Sequence, residues 1–433
     1  MKKAIFWFRR DLRTVDNVGL REALRSGHPV LPLFIFDTEI LDELNGDDPR
    51  VQFIHGELEK IHRWLRSRRS SLLIRHGNPQ EVWKELIREH QLAGVYLNRD
   101  YEPYAVERDR QIRQLLQSSQ IPVYTFKDQV IYEEDDILKK DGAPYTVFTP
   151  YKKRWLEQFH VDQPEAAELP EKVNFINADL PFPTLKQMGF SGSSVKVPPY
   201  DLSGLDRYDE LRDFPAADAT SHLSPHLRFG TVGIRQLITG LKPAHETFRS
   251  ELIWREFFMQ ILHHFPTVVD NNFHRKYNGI SWRNEEEDFK RWSQGETGYP
   301  LVDAGMRQLN QTGFMHNRVR MVTASFLCKH LLIDWRWGES YFAEKLLDYE
   351  LSSNNGNWQW AAGTGCDAAP YFRIFNPHEQ LKKFDKNLEY VRQWVPEADT
   401  TAYPRPVVDH QFARKRALET YKKGIAAYTG QSN

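Results

Sequence analysis

A helical segment in the second half of the chain carries three side-chain types that could act together on a ligand. In SELIWREFF, Glu251, Trp254, Arg255 and Phe258 are spaced i, i+3, i+4 and i+7, so they share one face of a helix. A carboxylate and a guanidinium are costly in an apolar setting unless they are paired. This face is therefore either a polar binding surface with an indole in it or an exposed face with an internal Glu251–Arg255 ion pair, and the spacing leaves both interpretations open.

A second helical segment, MHNRVRM, carries two arginines that face different ways. Asn317, Arg320 and Met321 share a face at i, i+3 and i+4, whereas Arg318 points about 100° away from Asn317 on a helix of 3.6 residues per turn. One arginine could form an internal ion pair while the other meets a phosphate. The alternative is a pair of solvated arginines, and the sequence does not decide between them.

The segment ATSHLSPHLRFG predicts the start of a helix with hydroxyl groups beside it. Ser224 precedes Pro225 in the order of an N-cap residue and a proline at the first helical position, and Thr220 and Ser221 come just before. Free backbone N–H groups and hydroxyls at a helix start can hold a phosphate. The commoner alternative is a capped helix without a ligand.

Tryptophans are concentrated in the second half of the chain, where eight of the twelve follow residue 250. Trp282, Trp335 and Trp358 stand in GISW, LIDWRWG and NNGNWQW, and Trp360 follows Trp358 by two residues. A single tryptophan is usually a core or surface anchor. The polar residues 352–356 are likewise typical of a turn or cap before a helix, so these residues alone assign no role.

The elements that position these residues fall into two predicted domains. Residues 1–130 alternate five short apolar runs with amphipathic helical stretches, which predicts an α/β Rossmann-like domain with a five-stranded parallel sheet and helices on both faces. Ligands of such sheets bind beyond the carboxyl ends of the strands. The first turn there reads FRRDLR, and neither a GxGxxG nor a GxxxxGK[ST] phosphate loop occurs in the chain.

The remaining chain is predicted to be a connector followed by helices. Residues 131–200 lack clean periodicity and are expected to connect the domains, with a short helix near 151–159. Residues 201–433 are predicted to form an all-helical domain without strands. Its strongest helical patterns cover 231–241, 247–264, 301–311, 314–332 and 338–350.

Composition excludes several classes of protein. The apolar fraction of 40% and the charged fraction of 27% are those of an ordinary globular protein, and the net charge of -1 means that a polyanion would have to meet a local basic patch. Two cysteines exclude a disulfide framework and an iron–sulfur cluster of four cysteines. No signal peptide and no apolar run of about 20 residues is apparent, so a cytoplasmic location is predicted and no membrane or metal role is expected.

Seven motifs, in order and spacing, resemble those of one family. They are WFRRDLR, DFPAADATSHLSPHLRFG, ELIWREFF, TGYPLVDAGMRQL, MHNRVRM, NNGNWQWAAGTG and DAAPYFRIFNP. Together they resemble the DNA photolyase and cryptochrome family, most of all the class I cyclobutane pyrimidine dimer photolyases, over about residues 3 to 396. The resemblance implies a helical domain that binds FAD and DNA and an enzyme that uses visible light to send an electron from reduced flavin to a pyrimidine dimer.

The resemblance also implies which residues contact the cofactor. Asn354 would face the reactive ring nitrogen of the flavin, Arg320 would pair with Asp348 beside it, and the hydroxyl cluster would take the diphosphate. The implied FAD contacts are Tyr208, Thr220, Ser221, His222, Leu223, Ser224, Glu251, Phe258, Arg320, Asp348, Tyr349, Glu350 and Asn354.

For the substrate, the resemblance implies a pocket that holds a dimer flipped out of the duplex. Glu251 would hydrogen-bond the dimer, Trp254 and Trp360 would form an apolar wall, and Asn317 and Met321 would complete the pocket. The implied DNA contacts are Arg212, Trp254, Arg255, Asn317, Arg318, Arg373 and Gln380. A relay of Trp358, Trp335 and Trp282 would carry electrons from the surface to photoexcited oxidised flavin.

The family also binds a second, light-harvesting chromophore in the α/β domain. Glu102 in NRDYEPY matches the glutamate that contacts this antenna, which would be methenyltetrahydrofolate, a deazaflavin or a flavin. Two positions depart from the pattern of some relatives, which have Trp where Phe248 stands and Asp where His330 stands. Neither departure removes an implied catalytic residue.

Three alternatives remain beside a monomeric dimer photolyase that acts on damaged DNA. A cryptochrome photoreceptor usually signals through a long C-terminal extension, whereas about 37 residues follow Pro396. A (6-4) photoproduct photolyase would carry a histidine-based site where this chain has Asn317 and Trp254. A purely redox flavoprotein or a nucleotide-binding module would fit the sheet but would not need Trp254 and Trp360.

Overall fold

A computed structural model describes residues 2–431 of the chain, except for the side chains of residues 430 and 431. The chain forms two compact units, and each unit combines segments that are distant in sequence. Unit 1 contains the described residues up to Glu133, Leu156–Tyr200 and His222–Lys242; unit 2 contains Glu134–Trp155, Asp201–Ser221 and the described residues from Pro243 onward. The expected connector, 131–200, is therefore divided between the units instead of linking two consecutive domains.

Unit 1 is built on the predicted five-stranded parallel sheet. The strands Lys3–Phe8 and Val30–Asp37 are apolar and largely buried on both faces, which is the pattern of a parallel sheet covered by helices, whereas the edge strands Leu73–Gly77 and Val123–Phe126 are mostly half-buried. The strands are β1 (Lys3–Phe8), β2 (Val30–Asp37), β3 (Leu73–Gly77), β4 (Leu92–Asn98) and β5 (Val123–Phe126). Their spatial order is β3-β2-β1-β4-β5, and every neighbouring pair is parallel.

The α-helices are numbered in chain order. They are α1 (Val18–Arg25), α2 (Thr38–Leu41), α3 (Pro49–Arg66), α4 (Pro79–Glu89), α5 (Pro103–Ser118), α6 (Phe148–Asp162), α7 (Tyr208–Leu211), α8 (Ser224–Arg228), α9 (Ile234–Thr239), α10 (Glu246–His264), α11 (Glu286–Gln294), α12 (Pro300–Thr312), α13 (Asn317–Ser325), α14 (Trp335–Lys345), α15 (Leu351–Ala362), α16 (Pro377–Phe384), α17 (Glu389–Trp394) and α18 (His410–Gln431). Short 3₁₀ turns cover Leu185–Met188, Leu205–Arg207, Pro215–Ala217, Pro243–His245, Pro266–Val269 and Arg275–Gly279. No described helix combines the length and the apolar character that crossing a membrane requires.

Side chains from the two faces of β1 pack into two separate hydrophobic cores in unit 1. Phe6 and Phe8 point to a core that includes Phe34, whereas Trp7 points to the opposite core and packs edge-on against Trp83. The strand order reverses at β1, which lies between β2 and β4. A doubly wound sheet binds ligands at this switch point, where the loops FRRDLR and NRDYEPY leave β1 and β4.

Unit 2 is helical, and its described residues contain no strand. Its main core contains three fully buried or nearly buried indoles, those of Trp292, Trp335 and Trp358, among aliphatic side chains from α12 to α17. The predicted helix over 314–332 is interrupted: α13 ends at Ser325, and a π-helix covers Phe326–Leu331. A π turn widens the helix, which a period of 3.6 residues in the sequence does not reveal.

Candidate active site

Glu251 and Arg255 do not pair with each other, so the interpretation of an internal ion pair on α10 is wrong. Arg212 Nη1 lies 2.5 Å from Glu251 Oε1, and Arg255 Nε lies 3.4 Å from Glu350 Oε2. The pKa of Arg212 is raised, because the attraction of Glu251 outweighs burial, which by itself lowers it. The polar face of α10 thus reaches two other segments of unit 2.

The Arg212–Glu251 pair belongs to a larger ion network at the start of α13. Arg318 Nη2 donates to Asp213 Oδ1 over 2.8 Å, and Asp213 adjoins Arg212 in sequence. The four side chains are 18% to 36% exposed. We call Arg212, Asp213, Glu251 and Arg318 the open network, because its charges are paired with each other but still reach solvent.

The two arginines of α13 both have carboxylate partners on different elements. Arg320 forms two hydrogen bonds to Asp348, of 3.2 and 2.9 Å, and its Nε donates to the carbonyl of Met315. The pairing of Arg320 with Asp348 that the family resemblance implied is present. The guanidinium of Arg318 instead lies 4.4 Å from the ring centre of Phe384 and contacts Met321 Sδ at 3.7 Å.

The residue before α13 is a further polar group that sequence reasoning missed. His316 is the N-cap of α13: its Nδ1 accepts a hydrogen bond from the backbone N–H of Arg318. Burial lowers its pKa to about 4, since Asp213 offsets only part of that penalty. His316 is therefore neutral at neutral pH and orients the first turn that carries Asn317 and Arg318. No signal in the sequence indicated this cap, because His316 lies within the predicted helical pattern over 314–332 and histidine is not a usual N-cap residue.

Trp254 lies half-buried on α10, and one flat side of its indole is covered. The ring of Phe148 stacks on it at 3.7 Å with an interplanar angle of 9°, and Phe258 lies 5.4 Å away at 30°. Trp360 on α15 is also half-buried. Among the other predicted pocket residues, Met321 is half-buried and Asn317 is exposed.

Asn354 is held by Glu339, a partner that the sequence did not predict. Its side-chain amide donates to the carbonyl of Glu339, over 3.1 Å, and to Glu339 Oε1, over 2.9 Å. Burial raises the pKa of Glu339, and the bond from Asn354 offsets part of this effect. With both amide hydrogens engaged, Asn354 Oδ1 remains as an acceptor. Glu339 lies on α14, 15 residues earlier, in no recognisable motif.

The three relay tryptophans lie on connected parts of unit 2. Trp335 begins α14, and Gly338 one turn later touches Trp358, since a Cβ added at Gly338 would lie 2.1 Å from the indole. Trp335 Nε1 donates to Asn272 Oδ1, and both Trp335 and Trp358 are buried. Trp282 is only half-buried and packs edge-on against Tyr421, with ring centres 5.8 Å apart.

The predicted N-cap at Ser224 is wrong. The helix α8 begins at Ser224 itself, with Leu223 in the N-cap position and no side-chain cap, and it is only five residues long. Leu223, in the N-cap position, has a φ of -75° and a ψ of -23°, so the chain is already in the helical region before Ser224 and lacks the extended geometry usual at an N-cap. The boundary between the two units falls between Ser221 and His222.

Three buried hydroxyl groups of unit 2, those of Thr220, Ser352 and Thr364, lack hydrogen-bond partners among the described residues, and the first two lie in or next to segments that the family resemblance assigns to the cofactor. Thr220 Oγ1 and Ser352 Oγ are buried, and neither has a hydrogen-bond partner in the described part of the chain. Nearby in sequence, Tyr208 packs edge-on against Phe248, and burial together with Glu251 raises the Tyr208 pKa to about 12. Buried polar atoms are almost always paired, so these two hydroxyls fit a bound cofactor rich in polar atoms.

The remaining predicted contacts differ in accessibility. Arg373 is exposed, Gln380 is half-buried, Tyr349 is half-buried and Leu223 is buried. In unit 1, Glu102 accepts a hydrogen bond from Arg228 over 3.2 Å and lies 3.5 Å from Arg10 Nη1. These charges stand beyond the carboxyl ends of β1 and β4, at the switch point of the sheet.

One group of side chains could hold a metal ion, although none was expected. The ligand atoms of Asp135, His263 and His264 lie within 4.8 Å of one another. His264 is 13 residues beyond Glu251, which is about 20 Å along α10. This exposed group is therefore separate from the candidate active site.

The fold and the site define a two-unit light-driven flavoprotein of the photolyase and cryptochrome type. The family described as "DNA photolyase" matches residues 4–171, and the "FAD binding domain of DNA photolyase" matches residues 248–402. The chain belongs to the DNA photolyase family, and unit 2 carries its FAD-binding domain.

Individual relatives agree with this assignment over the full length of the chain. The chain is 38% identical to a protein of Synechococcus and 35% identical to one of Escherichia coli, both named deoxyribodipyrimidine photo-lyase, with 98% of this chain and at least 97% of each relative covered. The crystal structure of a class III photolyase from Agrobacterium tumefaciens has a TM-score of 0.87 at 35% identity, covering 98% of both chains. A photolyase of Sulfolobus tokodaii, with two FAD molecules, has a TM-score of 0.83 at 33% identity, covering 97% of this chain and 100% of that one.

Proposed function

We propose that this chain is a light-dependent enzyme that splits cyclobutane pyrimidine dimers in DNA. The observation that carries the proposal is the open network around Glu251, in the same helix as the half-buried Trp254 and within the matched FAD-binding domain. The relatives named deoxyribodipyrimidine photo-lyase support the same activity. The proposal includes damaged DNA as the partner of a monomer that works in the cytoplasm.

The cofactor would be held by polar groups of unit 2. Thr220 and Ser352 would bond its polar atoms, Asn354 would offer an acceptor beside the ring, and the Arg320–Asp348 pair would flank it. The expected ring contacts also include Phe258, while Tyr208 would cover another part of the molecule. When bound, FAD supplies the electron that opens the two ring bonds of the dimer after excitation by light.

Glu251 would recognise the lesion by hydrogen bonding. Arg212 holds Glu251 Oε1, and Oε2 remains available to accept the N–H of a pyrimidine ring. The positive charge of Arg212 beside this contact would also stabilise extra negative charge on the dimer. Trp254 and Trp360 would provide the apolar surface, with Asn317 and Met321 at its border.

DNA phosphates are expected to be contacted by arginines of unit 2, of which Arg212 and Arg318 are partly exposed and Arg255 is only 10% exposed. Arg212, Arg255 and Arg318 have carboxylate partners, so these arginines are oriented before DNA arrives. Arg373 is exposed and is expected to contact phosphate directly, with Gln380 close by in sequence. Such contacts position the duplex without reading its sequence.

The proposed route for reducing the flavin runs through Trp358, Trp335 and Trp282. The first two are buried and the third reaches the surface.

Replacing Trp358 with Phe should slow light-driven reduction of the oxidised cofactor at least tenfold, because the first electron donor is lost. Repair by chemically reduced enzyme should remain. Equal loss of both activities would contradict the relay, and Trp394→Phe is the matched control.

A second chromophore is proposed at the switch point of the unit 1 sheet, near Glu102. The photolyase of Sulfolobus tokodaii contains two FAD molecules, one of them implicated as a light-harvesting cofactor. Methenyltetrahydrofolate, a deazaflavin and a flavin are distinguished by the absorption spectrum of material released from the purified protein.

The activity is tested with a single-dimer oligonucleotide under blue light. We expect flavin bands in the purified protein and light-dependent recovery of the two separate pyrimidines. Flavin bands without any recovery would contradict repair and favour a photoreceptor. A protein without flavin absorption, purified with added FAD, would contradict the cofactor assignment as well.

A further inference from the structure

The indole of Trp254, which is proposed to form part of the apolar surface that contacts the lesion, is stacked against another aromatic ring. The ring of Phe148, the first residue of α6, lies parallel to the indole at 3.7 Å with an angle of 9°. This is the closest ring stacking that involves Trp254; the rings of Phe257 and Phe258 lie 5.5 and 5.4 Å away. One flat side of the indole is thus covered by protein, while the residue as a whole remains half-buried.

Phe148 is itself fixed from two directions. Its backbone N–H donates to Asp367 Oδ2 over 3.0 Å, so the segment after α15 holds the start of α6. Further along α6, Tyr151 packs on Phe257, with ring centres 5.3 Å apart. Phe148 is only 7% exposed, so its ring is a rigid support for the indole.

The same face of α6 is anchored once more on α10. Trp155 Nε1 donates to Glu256 Oε2 over 2.7 Å, in a fully buried position. Glu256 lies two residues beyond Trp254 on α10. The contacts of α6 therefore leave the ring of Phe148 little freedom to move away from Trp254.

A rigid indole has a consequence for binding. An aromatic side chain that must be ordered by its ligand costs part of the binding energy, whereas a side chain that is already ordered does not. Aromatic pairs in offset or edge-on geometry contribute about 0.5 to 1.5 kcal/mol beyond buried area, and the nearly face-to-face pair of Phe148 and Trp254, with ring centres 3.7 Å apart, is expected at the lower end of that range. A ring stacked on one side of Trp254 thus fixes the orientation of the indole, and the part of the indole that remains accessible can contact a ligand.

We propose that Phe148 is a positioning residue for lesion recognition: it stacks on Trp254 and holds the indole in the orientation that receives the dimer, without touching the dimer itself. This inference rests on the proposed function, because it requires Trp254 to contact the lesion. No motif in the sequence identified Phe148, which stands in the expected connector, 106 residues before Trp254.

The test is a double-mutant cycle on binding, carried out with the FAD-loaded protein in the dark. Dissociation constants are measured for one duplex with a single dimer and for the same duplex without damage, using the parent, Phe148→Leu, Trp254→Leu and the double variant. Leucine keeps bulk but removes the flat ring. Phe159→Leu, later on the same helix and about 16 Å along it from Phe148, with its ring packed near that of His160, is the matched control, and thermal unfolding shows that each variant is folded.

We expect Phe148→Leu to weaken binding of the damaged duplex about two- to tenfold and to leave binding of the undamaged duplex unchanged. In the Trp254→Leu background, the same change should have no further effect, because the interaction acts only through the indole. Additive losses, or an equal loss with undamaged DNA, would overturn the inference.

The cycle also separates this inference from the proposed function. If Trp254→Leu weakens binding of the damaged duplex but Phe148→Leu does not, only the role of Phe148 is overturned. If Trp254→Leu leaves that binding unchanged, the proposed role of Trp254 fails, and the role of Phe148 fails with it.

Discussion

Each unit contains an ion network of two arginines and two carboxylates, and the two networks differ in burial. In unit 1, Arg13 and Arg235 both pair with Asp128, at 2.5 and 2.7 Å, and Arg235 also pairs with Asp16 at 2.8 Å. These side chains are at most 9% exposed. We call them the closed network. The open network of unit 2 has the same composition but is 18% to 36% exposed.

The difference indicates what each network can do. Removing one member of a buried pair leaves an uncompensated charge, so breaking the closed network should strongly destabilise unit 1. Ion pairs that reach solvent are worth less than buried ones, so members of the partly exposed open network can exchange partners with a ligand at lower cost than members of the closed network. The closed network therefore stabilises, whereas the open network is suited to binding.

The largest effect is expected from breaking the closed network. Asp128→Asn should lower the free energy of unfolding by about 3 to 5 kcal/mol, because Arg13 loses its carboxylate partner in a buried site. Urea titration followed by circular dichroism measures this loss. Glu22→Gln, which breaks only surface pairs with Arg21 and Arg25, should cost less than about 1 kcal/mol. Similar costs for both variants would contradict the distinction.

The closed network also predicts a pH dependence with a definite sign. Burial by itself would raise the pKa of Asp128, but Arg13 and Arg235 outweigh burial and lower it. A carboxyl with a lowered pKa in the folded state contributes stability above its ordinary pKa and loses that contribution as the pH falls through the folded value. The difference in unfolding free energy between parent and Asp128→Asn should therefore shrink in acid.

Breaking the open network should impair repair with little loss of stability. Glu251→Gln removes the carboxylate that is proposed to meet the dimer and should lower repair per absorbed photon roughly 10- to 100-fold, the range for a charged hydrogen bond worth about 1.5 to 3 kcal/mol. Repair is measured with DNA at saturation. Glu246→Gln, on the same helix and paired with Lys152 at the surface, should leave repair unchanged. Normal repair by Glu251→Gln would contradict the assigned role.

Lys329 extends the comparison to a buried cation that has no carboxylate partner among the described residues. Lys329 donates to the carbonyls of Ala362 and Tyr371 and lies over the ring of Tyr421, and no described carboxylate pairs with it. Burial lowers its pKa to about 7. Because the unfolded chain then binds more protons than the folded one above pH 7, stability should rise with pH.

The measurement for Lys329 is unfolding free energy against pH. The parent should gain on the order of 1 kcal/mol between about pH 7.5 and 8.5, and Lys329→Met should abolish this gain. A parallel profile for both proteins would show that Lys329 does not titrate in this range. Lys345→Met, which removes a partly exposed lysine, is the control.

The smallest effect is expected from replacing Arg373, an exposed residue that is proposed to contact a DNA phosphate. Arg373→Ala should weaken binding a few-fold for damaged and undamaged DNA alike and reduce the slope of log affinity against log salt by about 1, because one phosphate contact is lost. Arg392→Ala, whose guanidinium already pairs with Asp399, should leave the slope unchanged. A loss confined to damaged DNA would contradict a phosphate contact.

The sequence predicted the elements of the fold well, since their signals are local. The runs KAIFWF and VLPLFIFD coincide with β1 and β2, and the helical pattern over 247–264 differs from α10 by one residue. Continuous apolar runs and 3.6-residue spacing reflect burial of a face, which neighbouring residues encode. The resemblance to photolyases, carried by motifs in order, is confirmed.

The partners of the site residues were not predictable in the same way. Spacing placed Glu251 and Arg255 within reach of each other, yet each pairs with a residue brought close by another segment. Glu339 and Phe148 gave no signal, because their importance lies in contacts with Asn354 and Trp254 across long stretches of chain. The start of α8 at Ser224 was also not predicted, because the helical conformation of Leu223 before it is not evident from residue type.

By itself, the sequence determined the strands, the long helices, the family and the residue types available for the chemistry, because periodicity and motifs are properties of the linear chain. Tertiary structure alone decided the strand order, the division of the connector between two units and the choice of ionic partner for each arginine. The physical reason is that an ion pair or a ring stack depends on distance in space, and many carboxylates along the chain are chemically equivalent until folding brings one of them close.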